Sequence, residues 1–258
     1  MATYLDRILA AHRERAAADD RPLDRLLDAA RAAPPPRGFA AGLRAADGLA
    51  VIAEVKRRSP SKGDLYPDLD PARVAADYER GGAACLSVLT DERFFGGSAA
   101  DLQAARAATG LPVLRKDFTV APADVCDARV MGADAVLLIV AALDDAELTD
   151  LHALAGEVGL DALVEVHDEA ELDRALTVGA TLVGVNQRDL VTFEVDPDRA
   201  VRVGKAMPPS VVRVAESGIK APTEAAALRE AGFDAVLVGE SLVTSGDPAA
   251  AVTALRTA

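Results

Sequence analysis

Short apolar runs recur along this chain, and a glycine closing a helical stretch introduces most of them. Gly82-Ala83-Ala84-Cys85, Gly132-Ala133-Asp134-Ala135, Gly179-Ala180-Thr181-Leu182 and Gly232-Phe233-Asp234-Ala235 open the runs CLSVLT, AVLLIV, LVGVN and AVLVG. Gly110-Leu111-Pro112 before VLRK and Gly159-Leu160-Asp161 before ALVEV are looser copies. A glycine just past a helix end supplies a left-handed cap, and a short unbroken apolar run suits a strand buried on both faces. With VIAEV at 51–55 and VVRVA at 211–215, the pattern predicts eight strands near 51–56, 84–89, 113–116, 134–140, 162–166, 182–186, 211–215 and 235–239. Successive strands start 20 to 33 residues apart, the room a strand, a loop and a crossover helix need.

Strict alternation of strands and helices implies a parallel sheet with helices outside, and eight units favour closure into an α/β fold, the (β/α)8 TIM barrel. A doubly wound open sheet is the alternative, although no G-x-G-x-x-G follows the first strand. The first 48 residues stand outside the repeat. Leu5, Ile8, Leu9 and His12 fall on one helical face, predicting an amphipathic helix over 3–17. A second is expected from Pro22 to Ala32, before Pro34-Pro35-Pro36 breaks it. Its apolar stripe leaves the extension nowhere to pack but on the barrel, so the chain reads as a single domain: a helical extension, 1–48, and a barrel, 49–258.

Half of the 258 residues are hydrophobic but only 3% are aromatic, with no Trp, so the core must be aliphatic. A net charge of −13 argues against nucleic-acid binding, which needs a basic face. An anionic substrate would need local positive charge against that field, and the chain has only five lysines, at 56, 62, 116, 205 and 220. Cys85 and Cys126 form no CxxC or Cys/His cluster, which disfavours a disulfide framework or a metal site and suits a reduced setting. The charged N-terminus does not resemble a signal peptide, and no run of about 18 apolar residues follows. The reading is a soluble cytoplasmic protein with no membrane partner.

Parallel barrels carry their active sites at the C-terminal ends of the strands, where alternate residues point inward. Glu54 and Lys56 lie two apart on the first strand, Lys116 and Phe118 share a face of the third, and Glu165 stands alone between valines. Asn186 ends LVGVN and Glu216 ends VVRVAE. Buried charge is costly unless paired or used, so six polar groups on five strands at one end point to a working mouth rather than a structural ion-pair layer. After strands seven and eight, Glu216-Ser217-Gly218-Ile219 and Gly239-Glu240-Ser241 suit backbone N–H binding of phosphate. His152 reads as a solvated helix residue and Cys85 as core. His167 faces with Glu165 only if the strand bends. Arg57-Arg58 either meets an anion or is solvated loop.

Taken in order, these motifs resemble the indole-3-glycerol-phosphate synthase family. The resemblance runs through Glu54-x-Lys56 with Ser59-Pro60-Ser61-x-Gly63, Phe94-Phe95-Gly96-Gly97-Ser98, Leu114-x-Lys116-Asp117-Phe118 and Glu165-Val166-His167. It continues through Asn186-Gln187-Arg188-Asp189-Leu190, Ala215-Glu216-Ser217-Gly218-Ile219 and Leu237-Val238-Gly239-Glu240-Ser241, spanning 51 to 243. Asp64-Leu65-Tyr66-Pro67 is the least typical part.

The resemblance implies ring closure of 1-(2-carboxyphenylamino)-1-deoxyribulose 5-phosphate to indole-3-glycerol phosphate, CO2 and water, without metal or cofactor. It assigns the general acid to Lys116, the substrate carboxylate to Lys56, and base and electrostatic roles to Glu165 and Glu54. Which lysine serves which step stays open. Asn186, Glu216 and Ser217 would orient the ribulose hydroxyls. Ser59, Gly218, Gly239 and Ser241 would surround the phosphate, and Phe95 and Phe118 would clasp the aromatic ring. Pro60, Ser61, Arg188 and Leu237 complete the expected binding set. A monomer is expected, with association with other tryptophan-pathway enzymes conceivable. Three alternatives are a phosphoribosylanthranilate isomerase, which would need a Cys/Asp pair at the mouth, a Schiff-base aldolase using Lys116, and a catalytically silent partner subunit.

Overall fold

A computed structural model describes residues 3–59, 62–189 and 191–258. The expected Pro60 and Ser61 lie outside the described residues, as does Leu190. Eight strands close a parallel barrel: β1 (Ala50–Val55), β2 (Cys85–Leu89), β3 (Val113–Lys116), β4 (Ala135–Ile139), β5 (Asp161–Val166), β6 (Leu182–Asn186), β7 (Val212–Glu216) and β8 (Ala235–Val238). Each pairs with its sequence neighbour, and β8 pairs with β1 to complete the ring. The expected strands are all present, with no end moved by more than one residue.

The helices are α1 (Tyr4–Ala17), α2 (Leu23–Ala32), α3 (Phe39–Arg44), α4 (Pro71–Arg80), α5 (Glu92–Phe95), α6 (Ala99–Ala108), α7 (Pro122–Met131), α8 (Asp145–Glu157), α9 (Glu169–Thr177), α10 (Pro197–Gly204), α11 (Pro222–Glu230), α12 (Glu240–Val243) and α13 (Pro248–Arg256). Proline opens α4, α7, α10, α11 and α13, where its fixed φ suits the first turn and its missing N–H is no loss. Gly82, Gly132, Gly159, Gly179 and Gly232, the glycines of the sequence repeat, take φ between 84° and 97°. Gly110 does not share that conformation, so it is a turn residue of another kind.

The N-terminal extension wraps the barrel from mouth to base. From α1, Arg13 binds Glu147 and the Ala142 carbonyl, while Tyr4 meets Phe94 and Phe193 edge-on. Helix α2 packs on α7. Helix α3 was not expected, because prolines 34–36 read only as a break. It buries Phe39, Ala40 and Leu43 against β1, β2 and β7, and Asp161 at the start of β5 accepts the Ala40 N–H at 2.8 Å. The base is thereby closed, leaving chemistry to the other end. Among the described residues, no helix is long and apolar enough to cross a membrane.

Candidate active site

Strand register brings the mouth together. Parallel pairing sets Glu54 level with Ser87, Glu165 with Gly184, and Asn186 with Glu216. Lys116, the last residue of β3, donates from Nζ to Glu165 Oε2 at 2.9 Å and to Glu216 Oε2 at 3.0 Å. Asn186 Nδ2 donates to Glu165 Oε1 at 3.0 Å. Glu54 accepts from the Ser87 hydroxyl at 3.2 Å and pairs with Lys56 Nζ at 2.5 Å. Glycine at 184 makes room for this arrangement, since a Cβ there would lie 2.0 Å from Glu216 Oε1.

Three carboxylates thus face two ammonium groups, with Glu54, Glu165 and Glu216 each no more than 4% exposed. Burial favours a neutral Glu165, but Lys116 and then His167 outweigh it and hold the acid at about 2. Burial pushes Glu216 up, and Glu165 and Glu54 add to it against the pull of Lys116, to about 7. Burial also favours a neutral Lys116 amine, but Glu165, Glu216 and Glu54 prevail and raise its pKa above the ordinary value. The mouth therefore offers a charged ammonium, an ionised base and a carboxyl that exchanges its proton near neutrality.

These groups line a cavity of about 1190 Å³, counted with its opening to solvent. Ser59, Phe95, Phe118, Arg188, Ser217, Gly218, Leu237, Gly239 and Ser241 line it with the charged set, so every expected site residue within the described residues reaches one cavity. The Phe95 and Phe118 rings stand 6.2 Å apart. Ser217 and Gly218 take φ of 66° and 77°, a turn fixed by the Gln187 amide donating to the Ser217 carbonyl at 2.7 Å. The Ser241 hydroxyl donates to the Ile219 carbonyl at 3.1 Å and ties the two final loops together.

Some expectations need correction. Arg57 meets no anion site and is not simply solvated: it binds Asp101 at 2.9 Å and the Pro67 and Leu69 carbonyls, pinning the first loop. Arg58 pairs with Asp64 across an unexpected two-residue hairpin, Arg58–Ser59 with Gly63–Asp64. His152 is half-buried rather than freely solvated, and burial lowers its pKa. Cys85 is core, as expected, and burial raises its thiol well above the ordinary range.

Sequence reading missed the surroundings of His12. Its Nε2 lies 2.9 Å from Asp91, and its ring centroid lies 5.4 Å from that of Phe118. Asp117 sits near by, already bound to Arg115 at 2.9 Å and Thr90 at 2.6 Å. His12, Asp91 and Asp117 could each offer a ligand atom within one small space. The imidazole and carboxylates already satisfy one another and Arg115, so the cluster fastens α1 to the mouth. Leu89, Leu137, Ile139 and Phe193 also line the cavity, with no charge in the sequence to mark them.

Fold and mouth together define a (β/α)8-barrel enzyme built for acid–base chemistry. Two solved structures share the fold, both at a TM-score of 0.62: thiamine phosphate pyrophosphorylase from Pyrococcus furiosus, 18% identical, covering 81% of this chain and 94% of its own, and N-acetylmannosamine-6-phosphate 2-epimerase from Clostridium perfringens, 15% identical, covering 79% and 91%. A family model described as indole-3-glycerol phosphate synthase matches residues 5–255. The indole-3-glycerol phosphate synthase of Mycolicibacterium vanbaalenii is 52% identical over all of this chain and 95% of its own length. The enzyme of the same name from Mycobacterium tuberculosis is 51% identical over the same shares. The chain belongs to the indole-3-glycerol phosphate synthase family, and is accordingly a carboxy-lyase of tryptophan biosynthesis.

Proposed function

We propose that this mouth converts 1-(2-carboxyphenylamino)-1-deoxyribulose 5-phosphate to indole-3-glycerol phosphate, CO2 and water, with Lys116 as the general acid. The observation that carries the assignment is Lys116 held between Glu165 at 2.9 Å and Glu216 at 3.0 Å on the cavity wall. As the aryl carbon attacks the ribulose ketone, the developing alkoxide takes the Lys116 proton. Loss of CO2 restores aromaticity. Dehydration then needs one proton given to the departing hydroxyl and one removed from the new ring, roles that suit Lys56 and Glu165 with Glu54 as electrostatic partner. Asn186, Glu216 and Ser217 orient the ribulose hydroxyls.

Phe95 and Phe118 clasp the aromatic ring, with Arg188 and Leu237 bounding the rest of the substrate. Ser59, Gly218, Gly239 and Ser241 form the phosphate cradle, whose backbone N–H groups a phosphate approaches closely only beside small residues. The Schiff-base alternative is weaker, because a nucleophilic lysine needs a lowered pKa and that of Lys116 is raised. An isomerase is disfavoured too, since neither buried cysteine lines the cavity.

The test follows indole-3-glycerol phosphate fluorescence from purified chain and the carboxyphenylamino substrate. Turnover that Lys116→Met lowers ~10²–10⁴-fold supports the assignment; a folded parent with no turnover, or a variant with near-parental turnover, overturns it.

A further inference from the structure

His167 sits one residue past β5 and is nearly buried. Its Nδ1 lies 3.0 Å from Glu171 Oε2, and the same carboxylate accepts the His167 backbone N–H at 2.8 Å. Glu171 therefore grips both backbone and ring. So held, the ring aims Nε2 at Glu165 Oε1, 3.6 Å away, and that nitrogen has no hydrogen-bond partner among the described residues. At 3.6 Å this is an ion-pair approach rather than a hydrogen bond, of the kind that tightens when a site fills.

We propose that His167, braced by Glu171, is a positioning residue that supplies the cation keeping Glu165 ionised while Lys116 gives its proton to substrate. The inference rests on the acid and base roles assigned above to Lys116 and Glu165. Donation leaves Lys116 a neutral amine, so Glu165 loses its 2.9 Å counter-charge at the step that needs a free base next. A buried carboxylate without a cation takes up a proton. The imidazolium on the other oxygen prevents this, and no atom is transferred to it.

The groups facing His167 are Glu165 from β5, Glu171 from α9 and Arg199 from α10. Burial and Arg199 oppose the charged ring, but the two carboxylates outweigh them, so its pKa lies above the ordinary value. The cation is thus kept to higher pH than a free imidazole keeps it, and lost as pH rises past that raised pKa.

His167→Gln keeps a neutral donor and removes the charge. The pH profile of kcat should show its acidic limb, assigned to Glu165, moved upward by ~1 unit, so that kcat on that limb falls ~10-fold. KM should stay within ~2-fold, because the cradle is elsewhere. Glu171→Gln still accepts the backbone N–H, and in it the imidazole should titrate lower by NMR, which three histidines make assignable. An unmoved acidic limb in folded His167→Gln overturns the proposal. So does an unmoved imidazole titration in Glu171→Gln, which decides the matter if the first variant does not fold. If Glu165→Gln itself leaves the parent's acidic limb in place, the base assignment has failed instead.

Discussion

Glu216 occupies the space where a side chain at residue 184 would begin: a Cβ on Gly184 would lie 2.0 Å from Glu216 Oε1. That oxygen is buried and accepts no hydrogen bond among the described residues, while its partner oxygen takes Lys116 at 3.0 Å. Glycine inside a strand costs about 0.5–1 kcal/mol relative to alanine. Here the missing methyl is what lets two neighbouring strands present a carboxylate to the lysine.

Gly184→Ala should therefore push the Glu216 carboxylate aside and lengthen its contact with Lys116. Turnover should fall by roughly 10-fold or more, because a misplacement of about 1 Å in a catalytic constellation is enough to do so. Steady-state kinetics on a folded variant checks this. Parental kcat would mean that the barrel absorbs the methyl without moving Glu216.

Lys116→Met keeps the stem and deletes the proton. The fall in kcat should be ~10²–10⁴-fold, the range of a lost general acid, with KM changing far less. The variant also leaves Glu165 and Glu216 without their shared cation. Urea denaturation should show a loss of stability at neutral pH that narrows in acid, where protonation relieves the carboxylates. A kcat near the parent's would remove Lys116 from the acid role.

Much of this arrangement was legible in the sequence because charge is conspicuous in an apolar strand. Glu54 and Glu165 each interrupt a run of aliphatic residues, Lys116 follows one in a charged stretch, and the period of two then assigns them to one interior. Gly184 carried a signal that went unread, since an isolated glycine in a strand marks a bend or a close approach. His12 gave a weaker one. It lies on the apolar stripe of α1, and only the fold shows that this stripe meets the mouth at Asp91 and Phe118. Helix α3 was hidden because its six residues follow a proline break, and six residues are too few to establish a helical period.

Glu216 contributes to stability with a sign opposite to that of Glu165. Its folded pKa of about 7 lies above the ordinary value, so the unfolded chain releases the proton first. Stability falls as pH rises from about 4.5 to 7 and stays reduced above that. Glu165, held at about 2, adds stability above its ordinary value and loses it as pH falls toward 2. Glu216→Gln should be less active yet more stable than the parent above pH 7, melting at a higher temperature there. Melting curves across pH decide it: a variant that melts below the parent at pH 8 would show that the ionised Glu216 stabilises the mouth.

The glycine after β8 can be tested against its neighbours. From sequence alone, a side chain at Gly239 is expected to strike the phosphate and leave the lysines in place. The geometry says otherwise, because a Cβ there would lie 2.5 Å from Glu54 Oε1 and 3.1 Å from Lys56 Nζ. Its φ of −122° lies outside the left-handed region, and the nearest atoms a side chain would meet are those of the Glu54–Lys56 pair. Gly239→Val should therefore lower kcat as well as raise KM, each by about 10-fold or more, since it displaces a pair joined at 2.5 Å. A substrate analogue lacking phosphate separates the two effects. If Gly239 served only the cradle, turnover of the analogue would survive the substitution. Displacement of Glu54 and Lys56 predicts that its turnover falls too, in proportion to the loss of kcat with the full substrate. Undiminished analogue turnover by a folded Gly239→Val variant would return the residue to a purely phosphate-binding role.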